Sequence, residues 1–241
     1  MNKRIILPNI FTGINLFFGF FAILFIMEGK LLIGAWFILL CFLMDGMDGV
    51  AARMTKGYSL FGANFDSIAD IVSFGIAPAM LMFFVSKSIF RSDIIAGIVP
   101  YIFALCGALR LARFNTHLIN LAVKHDFIGL PIPIAAVLMS SFFIFFRKIE
   151  INSTVLILFH FLGLVTALLM VSKITFLNFN SVMKNIYQNK VLFIISLCTV
   201  VTAMIIPHFI FFPVFFIYLN WDIILHIAAI HRNIKVENTN S

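Results

Sequence analysis

Asp45, Asp48, Asp66 and Asp70 fall within 26 residues of one another, in a chain whose 241 residues include only ten acids. All four lie in or beside apolar helical sequence, where a carboxylate at the bilayer centre costs about 2.5–3.5 kcal/mol on insertion scales. Asp45 and Asp48 are spaced i,i+3, and Asp66 and Asp70 i,i+4, so each pair occupies one helix face. A polar turn around Met54 to Phe61 predicts an antiparallel hairpin about position 57. That register sets Asp45 opposite Asp70 and Asp48 opposite Asp66, at matching depths. Asp45 then lies about 12 Å from the helix end near Arg53, at 1.5 Å rise per residue. Such a site is reachable from the interface and withdrawn from bulk water.

Four carboxylates so close repel one another, and Arg53 and Lys56 are the only local cations in the sequence. Hard divalent cations relieve that repulsion, and carboxylate oxygens suit Mg²⁺ or Mn²⁺. Two ions about 3.5–4 Å apart, sharing carboxylates, form the clamp used in phosphoryl chemistry. A proton relay or an ion-pair cluster is the competing reading. Small residues interleave the acids: Gly46, Gly49, Ala51, Ala52, Gly62, Ala63 and Ala69. A helical glycine costs about 1 kcal/mol relative to alanine, so these positions ask for a reason. Close helix–helix packing is one, and room for a ligand's phosphates and sugar against bare backbone is the other. Arg53 closes the constellation where a guanidinium could meet a phosphate oxygen in bidentate fashion.

The elements that must carry these residues are membrane helices. The chain is 62% hydrophobic and 11% charged, with 31 Phe and a mean hydropathy of +1.10. Soluble domains carry about 45–50% apolar and about 25% charged residues. Disorder is excluded by the same composition. A disulfide-stapled scaffold is excluded because Cys41, Cys106 and Cys198 stand isolated in apolar runs. At about 20 residues per crossing, apolar runs predict an all-α polytopic membrane bundle of about eight transmembrane helices. They fall at roughly 8–27, 31–53, 62–86, 94–115, 129–146, 154–171, 191–207 and 208–230. The N-terminal run lacks a small-residue cleavage site and reads as an uncleaved first span. With eight spans, twelve of the seventeen Lys and Arg residues fall on the side of the N-terminus. The positive-inside rule then places both termini in the cytoplasm. The net charge of +7 reads as topology plus attraction to anionic membrane lipids, and no nucleic-acid partner is expected. No repeat or soluble domain appears.

Asp45-x-x-Asp48-Gly49-x-x-Ala52-Arg53, eight residues, then Gly62-x-x-x-Asp66-x-x-x-Asp70 resembles the signature of the CDP-alcohol phosphatidyltransferases at every fixed position. The flanking segments LPNIFTGINLFFGF, DSIADIVSFGIAPA, ALRLARFN and GLPIPIAA resemble the bacterial phosphatidylserine synthase branch. The resemblance covers about residues 6–140. It implies a catalytic core over 1–180, comprising six helices, followed by an additional transmembrane hairpin at 181–230 and a polar tail at 231–241. The implied reaction moves a phosphatidyl group from CDP-diacylglycerol to an alcohol and releases CMP.

By the same resemblance, Asp45, Asp48 and Asp66 are metal ligands for Mg²⁺ or Mn²⁺, two ions being expected. Asp70 is both a ligand and the catalytic base. Gly49, Ala52, Arg53 and Gly62 would contact CDP-diacylglycerol. Asn9 and Thr12, at the start of the first span, would read cytosine or ribose, with helix capping beside Pro8 as the bland alternative. L-Serine as acceptor needs a cation for its carboxylate, and Arg110 and Arg113, spaced i,i+3, are offered with Ser67 nearby. The bland reading of the arginines is positive-inside decoration, and that of Ser67 and Ser73 is a bond to the carbonyl four residues back. Glycerol 3-phosphate or another polyol would want the same arginines, and spacing alone does not choose. A cation transporter is the reading from another class, but it would distribute acids along a path and break helices in both halves. The six histidines show no pairing with the aspartates. The resemblance further implies a homodimer in the cell membrane with its active site facing the cytoplasm.

Overall fold

The computed structural model describes residues 3–55, 57, 59–88, 90–119, 129–149, 153–174, 212–217 and 220. Helices joined by short turns make up the structure, with no strand among the described residues. The order is α1 (Lys3–Met27), α2 (Leu31–Thr55), α3 (Leu60–Asp70), a π-helical turn (Ile71–Ile76), α4 (Ala77–Ser86), α5 (Asp93–Ile119), α6 (Ile132–Ile149) and α7 (Ser153–Val171). Five stretches are long and apolar enough to cross a membrane: Ile5–Met27, Leu31–Thr55, Leu60–Ser86, Asp93–Thr116 and Ser153–Val171. Ile132–Arg147 is a shorter apolar helix. Six of the eight expected spans are therefore present as helices. The expected pair at 191–207 and 208–230 lies outside the described residues, apart from a helical turn at 212–217 and Asn220.

Helices α1 and α2 form a tight hairpin. Gly29, at φ 77°, makes the turn, a conformation that costs glycine nothing. Beyond it the helices approach until a Cβ on Gly34 would come 3.0 Å from the Ala22 carbonyl oxygen. Phe37 then inserts between Phe18 and Phe25, with centroids 5.6 and 5.0 Å away. The outward faces carry Leu7, Ile10, Phe17, Phe20 and Met27, all exposed. An aqueous surface would not tolerate that stripe, and hydrocarbon favours it.

The centre of the bundle is α6. Ile132, Ala135, Ala136, Val137, Leu138 and Met139 are fully buried, as expected of a helix that is apolar all round. It packs chiefly against α2 and α7, while α7 packs against α5. The third span departs from a simple helix, because Asp70 is followed at once by the π-helical turn. Pro78 supplies a cause. It has no N–H to continue the α ladder into the preceding turn, and Ala77 instead donates to Val72, five residues back. Pro8 and Pro100 lie inside α1 and α5 without ending them.

Candidate active site

The acids are positioned by three helices, of which α1 is the common partner. It packs against both α2 and α3, whereas α2 and α3 hardly touch each other. This corrects the simple hairpin picture: the two acid-bearing helices meet through their side chains across a gap. Ser59 caps α3, its Oγ accepting from the Gly62 N–H at 2.9 Å, a standard way to fix where a helix begins.

Across the gap, one carboxylate oxygen from each of Asp45, Asp48 and Asp66 lies within 4.8 Å of the others. The expected cluster is thus formed by three of the four acids. Asp70 is not in the trio; it is buried and accepts from Asn15 Nδ2 at 3.4 Å. Thr12 Oγ1 lies 3.0 Å from Asp48 Oδ2 and 3.2 Å from the Pro8 carbonyl, so its one proton is shared between the two. The contact with Asp48 places Thr12 in the site, beyond mere capping. Asn9 lies along the same helix: a Cβ on Gly62 would come 3.2 Å from its Oδ1.

Partners are conspicuously missing here. Asn9 Nδ2, Asn15 Oδ1 and Asp66 Oδ1 are buried without a hydrogen bond, although buried polar atoms are paired in the great majority of cases. Among the described residues no cation lies within ion-pair distance of the four aspartates, and both ion pairs, Lys30–Glu28 and Lys87–Asp93, belong to inter-helix turns. No direct ion pair within 4 Å therefore neutralises the cluster among the described residues. A trio of converging carboxylates with an orphaned buried oxygen fits a hard divalent cation, whose preferred ligands are all oxygen.

The glycines separate in the same way. A Cβ added to Gly46 would meet nothing within 4 Å, and one added to Gly49 would meet only Arg53 Nη1, at 3.7 Å. Neither serves close helix packing, so both leave backbone facing open space. Gly62 is different, pressed against Ser59 and Asn9. Ala52 is half-buried and Arg53 is exposed at the end of α2.

The two arginines of α5 do different things. Arg110 is buried, with Cζ 5.8 Å from the Phe114 ring centre, and its charge acts on Asp70 and Asp45. Arg113 donates instead to the carbonyls of Met170 and Val171, both at 3.3 Å. Together with the N–H groups of Gly129 and Leu130, which bond Ile174 and Leu169, it satisfies the carbonyls at the end of α7. Gly129 has φ 86°, and a side chain there would crowd the Arg113 guanidinium at 2.8 Å. Ser67 bonds Ala63 at 3.0 Å, as its bland reading held, and also Asn115 of α5 at 3.1 Å. Ser73 ignores its own helix and reaches Asn15 O at 3.1 Å.

Sequence reasoning missed Asn15. Its signal was the spacing Asn9, Thr12, Asn15, three polar residues at intervals of three in an otherwise apolar span.

The family profile of CDP-alcohol phosphatidyltransferase matches residues 5–169. This chain belongs to that family. The phosphatidyltransferase is 37% identical over 191 residues to a CDP-diacylglycerol–serine O-phosphatidyltransferase of Helicobacter pylori (strain J99), covering 77% of this chain and 78% of that one. It is 39% identical over 212 residues to the protein of the same name from Methanocaldococcus jannaschii, covering 87% and 89%. An archaetidylserine synthase of Methanothermobacter thermautotrophicus is 36% identical over 174 residues, covering 71% and 70%. The matched region of this phosphatidyltransferase takes in all seven helices but for the ends of α1 and α7.

Proposed function

We propose that this phosphatidyltransferase transfers the phosphatidyl group of CDP-diacylglycerol to L-serine, giving phosphatidylserine and CMP. The observation that carries the reading is the Asp45, Asp48 and Asp66 trio, its oxygens within 4.8 Å, set beside buried polar atoms that lack partners. Relatives bearing the serine-transferase name, at 36–39% identity, support the choice of acceptor.

Asp45, Asp48 and Asp66, with Asp70 as the fourth ligand, would hold Mg²⁺ or Mn²⁺, two ions in this reading. Bound divalent cations would neutralise the pyrophosphate oxygens and the charge that develops on the departing CMP. Gly46 and Gly49 leave backbone bare where phosphates and ribose would lie, and Arg53 stands at the rim to meet a phosphate oxygen. Asn9 offers an unpartnered amide to the nucleotide. Asp70 accepts the proton of the serine hydroxyl as its oxygen forms a bond to the phosphatidyl phosphorus. The bond from that phosphorus to the pyrophosphate bridging oxygen breaks, and CMP carries away the electron pair. Arg110, buried on α5, is the cation for the serine carboxylate. The Lys and Arg distribution supports a multi-pass protein of the cytoplasmic membrane with the acid end toward the cytoplasm, and a homodimer belongs to the same proposal.

The test is incubation of the purified protein with CDP-diacylglycerol, Mg²⁺ or Mn²⁺, and each acceptor in turn. CMP release with L-serine but not with glycerol 3-phosphate is expected. CMP release with glycerol 3-phosphate alone would replace the acceptor, and no CMP with any alcohol would overturn the reaction.

A further inference from the structure

Asn15 is fully buried, and it lies where three elements meet. Its side-chain Nδ2 donates to Asp70 Oδ1 at 3.4 Å. Its backbone carbonyl accepts from Ser73 Oγ of the π-helical turn at 3.1 Å and from Cys41 Sγ of α2 at 3.5 Å. One turn along α1, Gly19 lets the π-helical turn approach so closely that a Cβ would come 2.9 Å from Ser73 Cα. No real side chain accepts that distance. The backbone of α1 at Asn15 is therefore fixed relative to the turn that begins directly after Asp70.

The amide itself is poorly used as a structural link. It makes one long hydrogen bond, and its own Oδ1 is buried with no partner. A residue kept for stability would have both ends satisfied or be apolar. π-Helical turns inside α-helices are frequent at functional sites, and this one connects the candidate base to the residue that grips it.

We propose that Asn15 is a positioning residue for Asp70. Its amide holds one carboxylate oxygen of Asp70 and leaves the other to face the acceptor hydroxyl, while Ser73, Cys41 and Gly19 hold Asn15 in place. The proposal rests on Asp70 being the base.

The experiment is a double-mutant cycle on the full-length protein in lipid nanodiscs, with CDP-diacylglycerol, L-serine and Mn²⁺. Asn15→Ala and the nearly isosteric Asn15→Leu are each made alone and in an Asp70→Asn background, with thermal melting followed for all. The single variants are expected to lower kcat about ten- to hundredfold, the worth of one hydrogen bond to a charged group. KM for CDP-diacylglycerol stays within about twofold, because the residue acts on the base. In the Asp70→Asn background, either Asn15 substitution costs no further turnover. Normal kcat in Asn15→Leu while Asp70→Asn is inactive would overturn the role of Asn15 and leave the base assignment standing. An equal loss in both backgrounds would overturn it too. Normal turnover in Asp70→Asn would remove the base reading and this proposal together.

Discussion

The two ends of the bundle obey opposite rules. Around Met82, Phe142, Phe159 and Gly163, where α4, α6 and α7 meet, side chains interdigitate and most polar groups are paired, and a cavity here is apolar, lined by Val85, Phe142, Val155 and Phe159 among others. Ser86 bonds Met82 O at 2.7 Å and pairs with His160 Nε2, and His160 Nδ1 in turn meets Leu156 O at 2.7 Å. Thr166 donates to its own helix at 2.9 Å. Phe142 and Phe159 stack at 5.5 Å, and Gly163 is filled against Met82 and Met139. Around the aspartates, by contrast, Gly46 and Gly49 face open space and three buried polar atoms have no partner. Away from that site, Ser140 Oγ is the exception among the described residues. The first end is closed by apolar contacts. The second gathers three carboxylates and three orphaned buried polar atoms in one place.

Substitutions should therefore separate activity from stability according to the end they strike. The largest effect is expected from Asp70→Asn, which should cost turnover about 10²–10⁴-fold, the usual range for a general base, while CDP-diacylglycerol binding survives. Turnover and binding measured on one preparation would check both halves. Next comes Asp66→Asn, which removes a ligand whose Oδ1 is orphaned. The Mn²⁺ concentration for half-maximal activity should rise at least about tenfold, since even outer-shell changes cost that much. Chelation of the wild type should abolish activity, and added Mg²⁺ or Mn²⁺ should restore it.

Gly49→Ala sharpens the contrast because fold and function are expected to move apart. A methyl there meets nothing closer than Arg53 Nη1 at 3.7 Å, so helix propensity alone should stabilise α2 by about 1 kcal/mol. KM for CDP-diacylglycerol should nevertheless rise about tenfold, the worth of a misplaced methyl group in a binding pocket. A variant unchanged in both would mean that the open space is idle. Gly163→Ala is the mirror image and the smallest change. Overpacking against Met82 and Met139 should cost about 1–3 kcal/mol, read as a lower melting temperature, with kcat and KM unaltered.

The spans and the acids were legible in the sequence for a shared physical reason. Hydrocarbon makes polar residues costly, so ten acids in 241 residues mark their own site, and i,i+3 and i,i+4 spacing assigns them to faces. What spacing could not supply was the third helix. The register about position 57 brought Asp48 to Asp66 but gave no sign that α1 packs against both α2 and α3. It also gave no sign that Asp70 is followed at once by a π-helical turn and accepts from Asn15. Arg110 and Arg113 were equivalent on paper. Only the end of α7, distant in sequence, reveals that Arg113 meets carbonyls while Arg110 is buried beside Phe114.

The most direct measurement follows labelled L-serine into lipid while CMP is quantified in the same reaction. One labelled phosphatidylserine per CMP is expected, dependent on Mg²⁺ or Mn²⁺ and lost in Asp70→Asn. CMP release without labelled lipid, or labelled lipid from the Asp70→Asn protein at the wild-type rate, would contradict it.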